Sequence, residues 1–148
     1  MAVTQSGVFG LTLRDNMNGT IVLNLDLNSS HKAAMFTNSV TPNFDTNTAY
    51  GVSPYNANEV SGTGYTAGGN VLTTTTIGIS SSLLVWDAPD IAWATSTITN
   101  ARCALLYADA LTGNNAICLI NFTADFSTIA DTFNLIFSAS GIVIFDYS

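Results

Sequence analysis

The sequence has 148 residues, enough for one domain with its own core; 47% are hydrophobic and only 9% charged, against about 25% charged in an average soluble domain. Its three cations, Arg14, Lys32 and Arg102, stand singly among ten carboxylates, and the net charge of -7 excludes both a phosphate-gripping nucleic-acid surface and a polybasic membrane patch. Abundant aromatic and β-branched residues exclude disorder, while Thr, Asn and Ser, roughly a third of the chain, give a polar surface that repels its neighbours weakly.

Residues 1–19, with Gly7, Gly10 and Gly19, read as an N-terminal arm that orders on a partner. They lack the basic start and long apolar stretch of a secretory signal, and no apolar run reaches the ~18 residues of a membrane span, so a soluble, cytosolically made chain is expected. Residues 20–27 alternate from Val22 onward. Leu23, Leu25 and Leu27 would share one face and Asn24 and Asp26 the other, which predicts a strand. Residues 32–37 form a second short apolar run. Residues 41–70, rich in Asn, Gly, Pro and Thr, predict one long ordered loop with a helical turn before Glu59. In a compact domain, a loop of that length is usually functional or an interaction surface.

The β signal strengthens beyond the loop. Residues 71–79 hold four consecutive threonines, which suit a pleated surface. Short runs follow at 83–86, 91–93 and 97–107. The turn Leu111-Thr112-Gly113-Asn114 and the run 116–123 then complete a hairpin. Residues 133–137 and 142–147 finish the chain. The last run is apolar on both faces and should be covered on both sides, by its own domain or by a neighbouring subunit. Eight or nine short strands predict an all-β, single-domain (1–148) antiparallel sandwich, jelly-roll-like, with one long ordered loop.

Chemistry-bearing residues are sparse. Cys103 and Cys118 fall in neighbouring strand-like runs; buried reduced thiols are expected, with a cross-strand bridge as the alternative. Neither lies in a CxxC pair, and no metal site is expected. His31 is the sole histidine, and no Gly-x-Ser-x-Gly elbow accompanies it, so catalysis is not expected. Residues 62–69 look like a phosphate-binding glycine loop, but the run after them is strand-like and the Walker lysine is missing. They therefore read as a turn system without a cofactor. Asp87 and Asp90, flanked by Trp86 and Trp93, read first as a turn beside core tryptophans. A sugar-binding face and a Ca²⁺ site are the alternatives.

One combination is more specific. Glu59-Val60-Ser61-Gly62-Thr63-Gly64-Tyr65-Thr66-Ala67-Gly68-Gly69 precedes Trp86-Asp87-Ala88-Pro89-Asp90-Ile91-Ala92-Trp93, then Ala101-Arg102-Cys103-Ala104-Leu105-Leu106-Tyr107 and Ile120-Asn121-Phe122. This order resembles a family of small virion proteins of tailed bacteriophages, over about residues 20–140. It departs from that family at Asn121-Phe122-Thr123-Ala124-Asp125-Phe126, which lacks a glycine-rich acidic turn. The resemblance implies a capsid decoration or cement protein bound to the major capsid protein lattice of the virion. Alternatives are a head–tail connector or tail-associated protein, or an adhesive head-fibre-like module that binds host glycans. A homo-oligomer, most simply a trimer, is implied, with no enzymatic activity and no cofactor. Phe9, Phe44, Tyr50, Tyr55 and Tyr65 are the candidate interface anchors, since aromatic residues concentrate at interface centres; the alternative is that they fold back onto their own sandwich. Glu59, Gly62, Gly64, Gly68 and Gly69 are the candidate turn motif.

Overall fold

β-Branched and aromatic runs set the architecture of the computed structural model, which describes residues 2–148. The main sheet has the order β1-β8-β7-β2-β3, from β1 (Gly7–Val8), β2 (His31–Phe36), β3 (Asn70–Leu72), β7 (Ala101–Tyr107) and β8 (Ala116–Phe126). A three-stranded sheet, β10-β5-β4, is built from β4 (Thr76–Ser80), β5 (Leu83–Asp87) and β10 (Val143–Asp146). The strands β6 (Ile91–Ser96) and β9 (Asp131–Leu135) pair by themselves, and α1 (Gly10–Met17) is a short helix. Every pairing is antiparallel. This is an all-β sandwich, as the strand count and turn spacing predict.

The main sheet is buried on both faces, which is why β2 and β7 are apolar at nearly every position. On one face Ala33, Met35, Ala104 and Leu106 pack with Trp86, Trp93, Phe133 and Val143 of the smaller sheets. On the other, Ala34, Phe36, Leu105 and Tyr107 pack with Phe9, Val40 and Tyr55. The N-terminal segment and the long loop thus make a third layer. Each large side chain buried this way contributes about 1.5–3 kcal/mol relative to exposure.

Several expectations need correction. Residues 7–17 are not a loose arm: Gly7 and Val8 pair with Leu119 and Cys118, and the Phe9 ring is fully buried. Residues 21–26 keep the alternation, with Leu23 and Leu25 packed inward, but Leu27 is 48% exposed rather than on their face, and the segment forms no strand. Their amides are met by asparagine side chains instead. Asn16 Oδ1 accepts from Leu23 N at 2.9 Å, and Asn24 Oδ1 accepts from Asp26 N at 3.0 Å. Such local acceptors compete with a strand ladder. The threonine run divides at residues 73–75, where the chain leaves the main sheet for the smaller one. Asn28 Oδ1 receives the Thr75 amide at that crossing. The loop at 41–69 holds turns and isolated bridges, and a helical turn in which Asn47 N donates to Asn43 O at 2.9 Å precedes Glu59, as expected. The last strand is covered on one face only, since Val143 is buried but Ile144 is 43% exposed.

The β7–β8 hairpin forms where predicted, but its register pairs Cys103 with Asn121 and Cys118 with Leu106. The two thiols pack into opposite faces of the sheet, so a bridge is excluded and both are free. Burial pushes both thiols up to about 12. Since the thiolate is the reactive form, both should resist a colourimetric thiol reagent in native buffer and react together once urea unfolds the chain. Titration of one thiol in the native protein would contradict this placement.

Candidate functional site

The glycine box leaves β2 and crosses back over it. Phe36 and Glu59 form an isolated bridge, Val60 N donates to Met35 O at 3.0 Å, and Thr37 N donates to Asn58 O at 3.0 Å. From there the chain turns twice. Tyr65 N donates to Gly62 O at 3.2 Å and Gly69 N to Thr66 O at 2.9 Å, before β3 begins at Asn70. A glycine is required at two points of this path. A Cβ on Gly62 would lie 1.8 Å from Thr97 O, and one on Gly69 would lie 1.8 Å from Ala33 O. The loop therefore lies directly on the backbone of β2 and on the chain just past the end of β6, an approach that only a residue without a side chain allows.

Glu59 is the hub of the system. Its Oε2 accepts from Tyr50 Oη at 2.8 Å, and its Oε1 accepts from Tyr65 Oη at 2.8 Å and from Gly68 N at 2.7 Å. Tyr65 Oη in turn accepts from Met35 N at 2.9 Å, and Tyr107 Oη donates to Gly68 O at 2.9 Å. Tyr50 stacks on Tyr107 with ring centroids 4.6 Å apart, and Tyr65 stacks on Trp93 at 6.0 Å. Burial, helped by the Glu59 hydrogen bond and charge, pushes the Tyr50 phenol up to about 12; burial raises the Tyr65 and Tyr107 phenols further. All three hydroxyls stay protonated near neutral pH and serve as donors. The carboxylate takes three donors, so this cluster ties the loop at 41–69 to the sandwich.

The candidate anchors mostly turn inward. Phe9 and Tyr55 meet edge to face at 5.9 Å in the core, which corrects their reading as outward contacts. The Phe44 ring is tilted against Phe9 at 5.1 Å. Tyr50 and Tyr65 are half-buried, with their hydroxyls held by Glu59. Tyr107 was missed from the sequence, although its phase with Cys103 and Leu105 along β7 places it on the loop-facing side.

Trp86 and Trp93 are 1% and 2% exposed, so they offer no sugar-stacking face. Trp86 Nε1 donates to Leu25 O at 2.9 Å. Asp87 Oδ1 accepts from the neighbouring Ala88 N, and Asp90 Oδ1 accepts from Phe137 N at 2.8 Å. Asp87 thus serves its own turn, while Asp90 ties that turn to the chain just past β9. Among the described residues, no group of three or more His, Cys, Asp or Glu is placed to hold a metal ion. No described helix is long and apolar enough to cross a membrane.

His31 is buried at the start of β2, edge-on to Trp86 at 5.5 Å, and its Nδ1 has no protein partner. Burial lowers its pKa from the ordinary 6.5. The unfolded chain therefore takes up this proton first. The stability due to neutral His31 is complete above pH ~6.5 and is lost as pH falls through the folded-state value. Urea midpoints measured from neutral to mildly acidic pH should fall, and His31→Phe should flatten that slope. An equal slope in the variant would assign the acid sensitivity to other groups.

Comparison of the chain with protein-family models, with curated proteins and with solved structures finds no match in any of the three.

Proposed function

We propose that this chain is a structural component of a tailed-phage virion, most directly a capsid decoration or cement protein that lies on the major capsid protein lattice and braces the head. The observation that carries this reading is the use made of the glycine box, the segment on which the resemblance rests. Its carboxylate, tyrosines and glycines are spent on one another, tying a long loop to the sandwich and leaving no reacting group to present. The surface supports the same reading. It combines few charges with single exposed apolar side chains such as Val22, Ile129 and Ile136, which suits a wide, weakly polar contact. Contacts of this kind bury about 1,200–2,000 Å² in stable complexes. Self-association into a symmetric oligomer on the lattice belongs to the proposal.

The test is reconstitution. Heads assembled without the protein, then saturated with it, should release their contents at a higher temperature than untreated heads, and an image of the particle should show it on the capsid faces. Failure to bind heads, together with unchanged thermal release, would overturn the cement role. Density confined to the neck would transfer the protein to the head–tail junction.

A further inference from the structure

We infer that copies of this chain join head to tail, with the free edge of β4 in one copy pairing with the free edge of β10 in the next, so that their three-stranded sheets become one continuous sheet. The inference rests on the self-association part of the reading above and names its joint. β4 and β10 are the two outer strands of the same sheet, each paired only with β5. β4 is exposed at all five positions and has neither charge nor proline. Edge strands of monomeric proteins commonly carry one or the other to prevent pairing.

The register shows which way β4 points. Ile77 lies opposite Trp86, and Trp86 lies opposite Val143, so Ile77 and Ile79 share the face on which Trp86 and Val143 are buried. Yet Ile77 is 37% exposed and Ile79 is 74% exposed. These are core-facing isoleucines with no core beneath them. The complementary space lies at the opposite edge of the same sheet. Between β10 and β1 is a groove of about 330 Å³, floored by Leu119 and Ile120 of β8 and walled by Val8, Ile136 and Ile142, with no carboxylate or cation in its lining. A β4 strand added to β10 with its inner face preserved would lay its two isoleucines over that groove.

Two further observations favour a second copy as the occupant. All three cations are held in ion pairs, Arg14–Asp15, Lys32–Asp109 and Arg102–Asp125, and the chain still carries a net charge of -7. Copies therefore meet at least cost where both surfaces carry little charge, as the strand residues of β4 and the lining of the groove do. The only carboxylate on β10 is Asp146 at its end, which accepts hydrogen bonds from Ser148. The β8 edge, by contrast, is blunted. Ser6 Oγ takes the Asn121 amide, Asn121 Oδ1 takes the Thr123 amide, and Thr123 sits at a positive φ. On β4, Asp26 occupies only the Ile77 amide, at 3.3 Å, near the start of the strand.

Donor and acceptor are different surfaces, so the joint is heterologous and closes a ring or propagates as a chain. Sedimentation of the intact protein should show an oligomer. Ile79→Lys and Ile136→Lys, both at strongly exposed positions, should each give folded monomers with unchanged near-ultraviolet circular dichroism. An equimolar mixture of the two should form dimers, because the first variant keeps its groove and the second keeps its β4. A monomeric wild type would overturn the joint and the self-association reading together. A wild-type oligomer that survives both substitutions, or a mixture that stays monomeric, would overturn the joint alone. If either variant misfolds, the Ser80→Cys/Asp146→Cys double variant decides. Disulfide-linked copies under oxidation support the joint, and their absence overturns it.

Discussion

Gly69→Ala is expected to lower the melting temperature by about 6–20 °C, on an estimated loss of ~3–5 kcal/mol at ~2–4 °C per kcal/mol for a chain of this size. The new methyl carbon would lie 1.8 Å from Ala33 O, 2.5 Å from its carbonyl carbon and 2.7 Å from Ala34 Cα. These are backbone atoms of β2, an inner strand held between β3 and β7, and they have no room to yield. Gly69 also sits at φ +72°, in the left-handed region, where any side chain adds roughly 1–2 kcal/mol. Gly51→Ala provides the control. Its φ of +80° is similar, but nothing lies within 4 Å of the added carbon, so it should cost only about 1–2 kcal/mol. Thermal and urea unfolding of both variants separate close passage from conformational strain. Equal losses would show that the crossing over β2 is not what holds this glycine.

Glu59→Ala should rank next, with a loss of about 3–5 kcal/mol from three charge-assisted hydrogen bonds in a half-buried setting. The substitution leaves the hydroxyls of Tyr50 and Tyr65 and the amide of Gly68 without their acceptor. Glu59→Gln should lose less, because its carbonyl oxygen still accepts, although the amide nitrogen then meets a donor. Tyr107→Phe removes only the bond to Gly68 O and should cost about 1 kcal/mol. A double-mutant cycle between Glu59→Gln and Tyr107→Phe should show coupling through Gly68. Strict additivity would mean that the two contacts do not act as one unit.

The strands and turns that depend on neighbours in sequence were readable in advance. The β7–β8 hairpin is one case, since Leu111-Thr112-Gly113-Asn114 supplies turn chemistry between two apolar runs. The short β5 run before Asp87 is another, and the glycine box is a third, because its spacing alone demands turns. Alternation at 20–27 was equally visible, and residues 21–26 do alternate between half-buried and exposed, though Leu27 does not follow. They are still not a strand, because a strand needs a partner edge, and Asn16 and Asn24 satisfy the amides locally instead.

What the amino-acid order determined by itself was the all-β class, the site of the main hairpin, the lack of a basic surface and the need for glycine at the loop crossings. Only the tertiary structure decided which aromatic rings are anchors and which are core. Phe9 in the N-terminal segment and Tyr55 in the polar loop look like interface residues until a third layer closes over them, whereas Ile77 and Ile79 look like core until the sheet carries them past it. The physical reason is that periodicity tells a side chain which face it shares, while burial depends on what lies opposite that face, and that is set by segments distant in sequence.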